Sequence, residues 1–172
     1  VEGAATGVRG LAFGDGRLPS VGGRAYFEVC LTELLAGHGD SLVIGVTESA
    51  DFEGLARLPE RAQEVPHSWG LGYDAGSRNW KCWSTGGGFS TIEMGDCLVP
   101  IDWEPHDLHV GDKVGLLVSQ SGEISVLLNK RTHATGLDRV PRRRPLYPLV
   151  ELRGGARAAS LQTGAEPPLG AF

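Results

Sequence analysis

The sequence lacks any apolar run long enough to span a bilayer, since its longest runs, such as residues 114–118, fall far short of the ~20 residues needed. It has no charged-then-apolar leader, and it starts at Val1 rather than Met. We therefore expect a domain cut from a longer protein, with no part inserted in a membrane.

An excess of positive charge is also missing. The chain has 16 Lys and Arg against 21 Asp and Glu, for a formal charge of −5. Nucleic acids and anionic lipids attract basic surfaces. Neither is therefore an expected partner.

Cysteine is scarce: Cys30, Cys82 and Cys97 are the three in the chain, and they form no CxxC pair. An odd count without such a pair argues against a disulfide framework and against a zinc ribbon. We therefore expect no disulfide partner. We also expect no metal and no other cofactor. Unpaired thiols fit a reducing compartment, so the predicted location is intracellular, in the cytoplasm.

No segment keeps a helical apolar period over three turns, and 26 glycines and 10 prolines interrupt the chain. Apolar residues instead recur at every second position. In residues 24–32, alternate positions from Ala25 to Leu31 are apolar, as in a half-buried strand. Residues 41–47 predict a second strand, in which Gly45 indicates a bulge or a close approach of another backbone.

Residues 111–129 predict a β-hairpin, because two apolar runs flank a polar turn at residues 119–122. The second run ends at Asn129 and is followed by Lys130, which tolerates a positive φ poorly. We therefore expect the next turn to be longer than two residues or of another type.

Proline affects two further segments. Pro148 interrupts a strand predicted for residues 146–152, which indicates an edge strand or a bulge. Residues 52–63 have the only helical tendency in the chain, and Pro59 limits it to about two turns. A loop with one turn of helix is expected there.

Five short motifs follow one another along most of the chain. They are GRAYFEV at residues 23–29, SLVIGVT at 41–47, SWGLGYD at 68–74, GDKVGLLVSQSGEISVLLN at 111–129 and PLYPLVEL at 145–152. Their order resembles that of the SPRY family over roughly residues 20–163. The neuralized-type repeat domain, a close relative, shares the IGVT, GDKVGLLV and PLYPLVEL segments. SWGLGYD followed by Asn79 and Trp80 is more similar to the SPRY pattern.

The resemblance implies one all-β domain over residues 1–172, a bent two-sheet antiparallel β-sandwich of the concanavalin-like jelly-roll type. It implies a non-catalytic adaptor or scaffold whose loops at one end bind a short segment of a partner protein, for example to recruit a target to a ubiquitin ligase. SPRY proteins that bind a short Asn-rich peptide have a tryptophan-glycine pair after the PLYP strand. Gly154 and Gly155 stand there instead, so that peptide is not expected.

The predicted partner surface combines two loops. Residues 51–66 form a long loop of mixed apolar and charged residues, and the family layout places it beside residues 153–155. Together they would form a shallow concave site whose arginines are available to acidic side chains or carbonyls. The predicted partner-binding residues are Arg57, Leu58, Arg61, Trp103, Arg153 and Gly154.

The four tryptophans fall into two predicted classes. Trp69 and Trp80 lie in strand-like contexts and are predicted to be core residues. Trp83 and Trp103 border loops, where an exposed tryptophan acts as an anchor at an interface. We therefore predict that these two are candidates for contact with a partner.

Two other function classes fit a β-sandwich. A lectin-like domain would bind sugar through carboxylates, Asn and an aromatic platform, often with calcium. A sandwich-fold hydrolase would need paired carboxylates. The candidates for such a pair, Glu28, Glu93, Asp96 and Glu151, are isolated from one another by sequence context.

Two remaining clusters are interpreted as solvated loops. His106 and His109 have a spacing that binds metal on a helix, but Pro105 and Gly111 bracket them in a loop. Three arginines at residues 142–144 would suit an acidic peptide or a phosphate. A solvated loop is the ordinary interpretation of such a cluster.

Overall fold

The computed structural model describes residues 10–35, 42–48, 59–74, 79–85, 92–96, 104, 107–136, 140–141 and 144–168. The strands are β1 Gly10–Phe13, β2 Ser20–Val21, β3 Arg24–Leu34, β4 Leu42–Thr47, β5 Ser68–Asp74, β6 Asn79–Thr85, β7 Ile92–Asp96, β8 Lys113–Val118, β9 Ile124–Leu128, β10 Arg131–Gly136, β11 Tyr147–Leu152 and β12 Ala156–Leu161. A 3-10 helical turn spans Ala62–Glu64. None of the helical structure in these ranges has the length and apolar character needed to cross a membrane.

The strands form two antiparallel sheets. Sheet 1 has the order β1-β11-β4-β5-β6-β7. Sheet 2 has the order β10-β9-β8-β3-β12, and the short strand β2 also pairs with β3. The two sheets share one apolar core, so the predicted all-β sandwich is confirmed.

The core between the sheets follows the alternation predicted for β3. Phe27 and Leu31 of β3 are buried in it together with Ile44 of β4. Trp69 and Trp80 lie in the same core with exposed fractions of 7% and 3%, as predicted. Removing this apolar surface from water is the main favourable term in folding, at roughly 25 cal/mol per Å².

A second apolar cluster lies on the outer face of sheet 1 and is centred on Trp83. The indole of Trp83 packs over Gly45 and Gly70, where a Cβ at Gly45 would stand 3.2 Å from Trp83 Cζ2 and 2.5 Å from the carbonyl oxygen of Trp69. The predicted close approach at Gly45 is therefore confirmed. Trp83 is only 1% exposed, so its prediction as an exposed anchor is wrong. Residues 59–67 shield this face from water.

Pro148 lies in the interior of sheet 1, and the prediction of an edge strand is wrong. β11 pairs with β1 on one side and with β4 on the other, and its pairing with β4 shows no register shift. The Pro148 carbonyl accepts a hydrogen bond from Gly14 N–H at 3.0 Å, just beyond the last residue of β1. The missing N–H of proline therefore falls where the neighbouring strand has already ended.

The turn between β9 and β10 has two residues, and the prediction of a longer turn is wrong. Asn129 and Lys130 have φ values of 49° and 66°, so both lie in the left-handed region that a type I′ hairpin turn requires. The Asn129 side chain stabilises this turn, since its Oδ1 accepts from Lys113 N–H at 3.0 Å and its Nδ2 donates to Asp112 Oδ1 at 2.9 Å.

The outer face of sheet 2 is also covered. Tyr26 and Leu127 are buried there, and Ala165 of the C-terminal segment packs against them. The Tyr26 hydroxyl donates to Glu28 Oε2 at 2.9 Å, and Lys113 Nζ lies 3.5 Å from the other oxygen of that carboxylate. Burial, and then the Glu28 carboxylate, raise the pKa of Tyr26 above its ordinary value.

The contact between Trp83 and Gly70 yields a stability prediction. Gly70→Ala should lower the free energy of unfolding by about 2–3 kcal/mol, because overpacking a full site forces neighbours to move. The added methyl would stand 2.6 Å from the Ile44 carbonyl oxygen and would overlap the Trp83 indole. Urea denaturation measures the change. Gly16→Ala, at a position with no atom nearby, is the matched control and should shift stability by less than about 0.5 kcal/mol.

The left-handed residue in the β9–β10 turn yields a second prediction. Lys130→Gly should raise the free energy of unfolding by about 1 kcal/mol, because glycine adopts the observed φ of 66° without strain. The midpoint of urea denaturation reports this gain. Arg131→Gly, one residue later and inside β10, should instead destabilise the protein. A loss of stability in Lys130→Gly would contradict the type I′ assignment.

Candidate functional site

Residues 59–67, here called the covering segment, lie across the outer face of sheet 1. They contain the 3-10 helical turn, which lies after Pro59, whereas the part of the predicted helical segment before Pro59 lies outside the described residues. Ala62 and Val65 are fully buried against Trp83 and Leu149. This part of the predicted binding loop therefore packs on the body of the domain.

Hydrogen bonds attach the covering segment to the strands beneath it. Ser68 Oγ and Thr85 Oγ1 donate to the Val65 carbonyl at 2.7 and 2.8 Å. Trp83 Nε1 in turn donates to Ser68 Oγ at 3.2 Å. Each of these polar side chains is buried, and such groups are stable only when they are hydrogen-bonded. The segment is therefore held in one position.

Glu151 and Arg153 join the covering segment to the turn between β11 and β12. The fully buried Glu151 carboxylate accepts from Ala62 N–H at 2.8 Å and from Arg153 Nε at 2.5 Å. Arg153 also donates to Gln63 Oε1 at 3.0 Å. The side chain of Arg153 is 17% exposed. The two predicted loops do meet, but the Arg153 guanidinium, expected to be available to a partner, is already paired inside the domain.

The other predicted site residues are placed as follows. Arg61 is exposed at the start of the 3-10 helical turn. Gly154 has a φ of 50° in the β11–β12 turn, a conformation that favours glycine. Arg57, Leu58 and Trp103 lie outside the described residues. Contact between this surface and a partner stays a prediction.

A cleft opens at one end of the sandwich, here called the end cleft, with a volume of about 450 Å³. It lies between the β1–β2 connection, the β8–β9 turn and the residues before β11. Its lining residues are Arg17, Leu18, Pro19, Ser20, Gly23, Ala25, Val118, Ser119, Arg144, Pro145 and Leu146.

The end cleft has an apolar base and ordered walls. Ala25, Val118 and Leu146 are buried core residues that also line the cleft. Leu18 N–H donates to the Leu146 carbonyl at 2.7 Å, which ties the two walls together. On the β8–β9 side, Ser119 Oγ accepts from the backbone N–H groups of the turn, which holds that part of the rim.

Two arginines border the end cleft. Arg17 is exposed. Arg144 Nη1 donates to Glu48 Oε2 at 2.7 Å, and the Arg144 side chain remains 65% exposed. The same Glu48 oxygen lies 3.9 Å from Nδ1 of His67, at the end of the covering segment. These charged groups give the cleft a polar rim around its apolar base.

Sequence reasoning did not identify the end cleft, because its lining comes from segments far apart in the chain. The sequence contains one signal of it: the arginine run at residues 142–144, set between two prolines, is suited to an anion. Arg144 of that run lies at the cleft, whereas residues 142–143 are outside the described residues. Across the described ranges, no group of three or more His, Cys, Asp or Glu could hold a metal ion.

The architecture is shared with several solved structures. The Drosophila melanogaster neuralized-NHR1 domain has a TM-score of 0.53 at 11% identity, covering 87% of this chain and 76% of that one. A human SPRY domain has a TM-score of 0.53 at 16% identity, covering 95% and 89%. The potassium-bound carbohydrate recognition domain of Emp46p has a TM-score of 0.57 at 8% identity, covering 89% and 74%. Identities this low show the fold alone.

No curated protein sequence matches this chain. The family model described as Neuralized matches residues 10–163. That range contains the IGVT, GDKVGLLV and PLYPLVEL segments that this family shares with SPRY domains. The matching model is that of the neuralized-type family and covers most of the sequence, so this chain belongs to the Neuralized family.

Proposed function

We propose that this domain is a non-catalytic module that binds a short segment of a partner protein in the end cleft, and so recruits or scaffolds that partner. Domains of the Neuralized and SPRY type are typically protein-interaction modules. The observation that carries the proposal is the cleft itself, whose volume of about 450 Å³ lies within the usual range of ligand clefts.

The end cleft suits an extended peptide. Its base offers Ala25 and Val118 to an apolar side chain, and its exposed wall at Pro19 and Ser20 offers room for a peptide backbone. Binding costs less when the site is already ordered. The hydrogen bond between Leu18 and Leu146 supports such a preformed site, so partner binding requires little change in the domain.

The sugar-binding alternative has less support. Its basis is the shared fold with a carbohydrate recognition domain at 8% identity. Sugar sites of this kind combine carboxylates, Asn and an aromatic platform. The described lining of the end cleft contains no Asp, Glu, Asn or aromatic residue.

The hydrolase alternative is also less well supported. The two buried candidate carboxylates whose side chains are described, Glu28 and Glu151, lie on the outer faces of different sheets. Each is paired with its own cation, Lys113 for Glu28 and Arg153 for Glu151. They do not converge on one reacting bond, which a glycosidase pair must do.

We also propose that residues 1–172 act as one domain inside the cell. The family match over residues 10–163 supports a single unit. Cys30, a free and partly buried thiol, fits a reducing compartment.

A cleft-filling substitution tests the proposed function. Random peptides displayed on phage are selected on the wild-type domain, and the selected peptide is titrated into the Ser20→Trp variant. Ser20 is exposed and lines the cleft, so the indole should fill it and weaken peptide binding at least about tenfold, or about 1.4 kcal/mol. Val110→Trp is the control, because Val110 is 62% exposed beside the other end of β8.

Amide chemical shifts locate the bound peptide independently. The proposal expects the largest shifts at residues 18–20, 118–119 and 145–146. Equal binding by Ser20→Trp, with shifts at residues 59–67 and 153–155 instead, would reject the end cleft and return the site to the surface predicted from the sequence.

A further inference from the structure

The end cleft has a charge opposite in sign to that of the whole chain. The chain has a formal charge of −5, yet the described lining contains Arg17 and Arg144 and no acidic residue. Concave surfaces lined by one sign of charge concentrate the electric field and attract ligands of the other sign. The cleft is therefore a basic site on an acidic domain.

Arg17 is available to a ligand. It is exposed, and it forms no hydrogen bond or ion pair with any other residue in the described part of the chain. Its guanidinium has five N–H donors in a planar fork, which matches the two oxygens of a carboxylate or the oxygens of a phosphate. Leu18 follows it directly and lines the same cleft, so an anion site adjoins an apolar one.

Glu48 orients the Arg144 side chain but contacts only one nitrogen of its guanidinium. One nitrogen, Nη1, bonds to Glu48 Oε2 at 2.7 Å, and the side chain stays 65% exposed. A single contact of this kind leaves the remaining donors of the guanidinium for a ligand. Glu48 neutralises part of the charge, but two arginines against one carboxylate leave the rim positive.

From these contacts we infer that the end cleft selects a peptide segment in which an acidic side chain adjoins an apolar one. The apolar side chain packs against Leu18, Val118 and Leu146, and the anion binds Arg17 and Arg144. This inference rests on the proposed function, because it names the class of segment that the same cleft binds. A charge-assisted contact to the arginines, combined with an apolar contact in the cleft, supplies specificity in addition to affinity.

Fluorescence anisotropy with four labelled peptide pools tests the inference. The pools have random flanks around a fixed central pair: Leu-Glu, Leu-Gln, Leu-Lys or Leu-phosphoserine. At low salt the wild-type domain should bind Leu-Glu at least about fivefold more tightly than Leu-Gln, with Leu-Lys the weakest, and added salt should reduce the difference. A tighter Leu-phosphoserine pool would support the anion site and identify phosphate as its preferred group, whereas a tighter Leu-Glu pool would identify the carboxylate.

Charge-reversal variants test whether the preference for Leu-Glu over Leu-Gln arises in the end cleft. Arg17→Glu should abolish the difference between Leu-Glu and Leu-Gln. Arg131→Glu changes the net charge equally at an exposed position beside the β9–β10 turn and should preserve it. Both variants should melt like the wild type.

Different results would overturn the preference for an acidic segment and the binding of peptides in the end cleft. Equal binding of the Leu-Glu, Leu-Gln and Leu-Lys pools, with all three weakened by Ser20→Trp, would overturn the acidic class and leave the binding cleft intact. Loss of the preference in Arg131→Glu as well as in Arg17→Glu would overturn it too, because the effect would then come from overall charge.

Discussion

The packing of Trp83 on bare backbone is the constraint on which much of the domain depends. The indole fits because Gly45 and Gly70 carry no side chain on the outer face of sheet 1. An indole placed there exposes a large apolar surface unless something covers it, and residues 59–67 provide the cover. The position of the covering segment, its hydrogen bonds to Ser68 and Thr85 and the hydrogen bond from Ala62 N–H to Glu151 all follow from that need.

Native contacts cover the outer faces of both sheets. Sheet 1 carries the covering segment, and sheet 2 carries the C-terminal segment with Ala165 packed on Tyr26. A partner that approached either face at these places would have to displace native contacts. Arg153 and Arg17 differ in the same way. Arg153 lies on the covered face and is paired with Glu151, whereas Arg17 lies at the end of the sandwich and is exposed.

The sandwich could be predicted from the sequence because strand alternation indicates which residues face the core, and because five motifs in order resemble a family whose fold is a two-sheet sandwich. Features set by partners distant in the chain could not be predicted. The burial of Trp83 depends on a segment some twenty residues away, and the position of Pro148 depends on where β1 ends. The pairing of Glu151 with Arg153 could have been recognised, since the two residues are only two positions apart where β11 ends. The end cleft is formed by three segments that only folding brings together. The arginine run at residues 142–144 was the one sequence feature that pointed to it.

Gly14 and Pro148 lie against each other, and each limits which residue can occupy the other position. A Cβ at Gly14 would stand 2.6 Å from Cδ of the Pro148 ring, so the proline occupies the space that a side chain on the neighbouring strand would need. Position 14 can therefore accept a larger residue only if position 148 gives up its ring. The two sites, separated by most of the chain, form an epistatic pair in which the effect of either substitution depends on the residue present at the other.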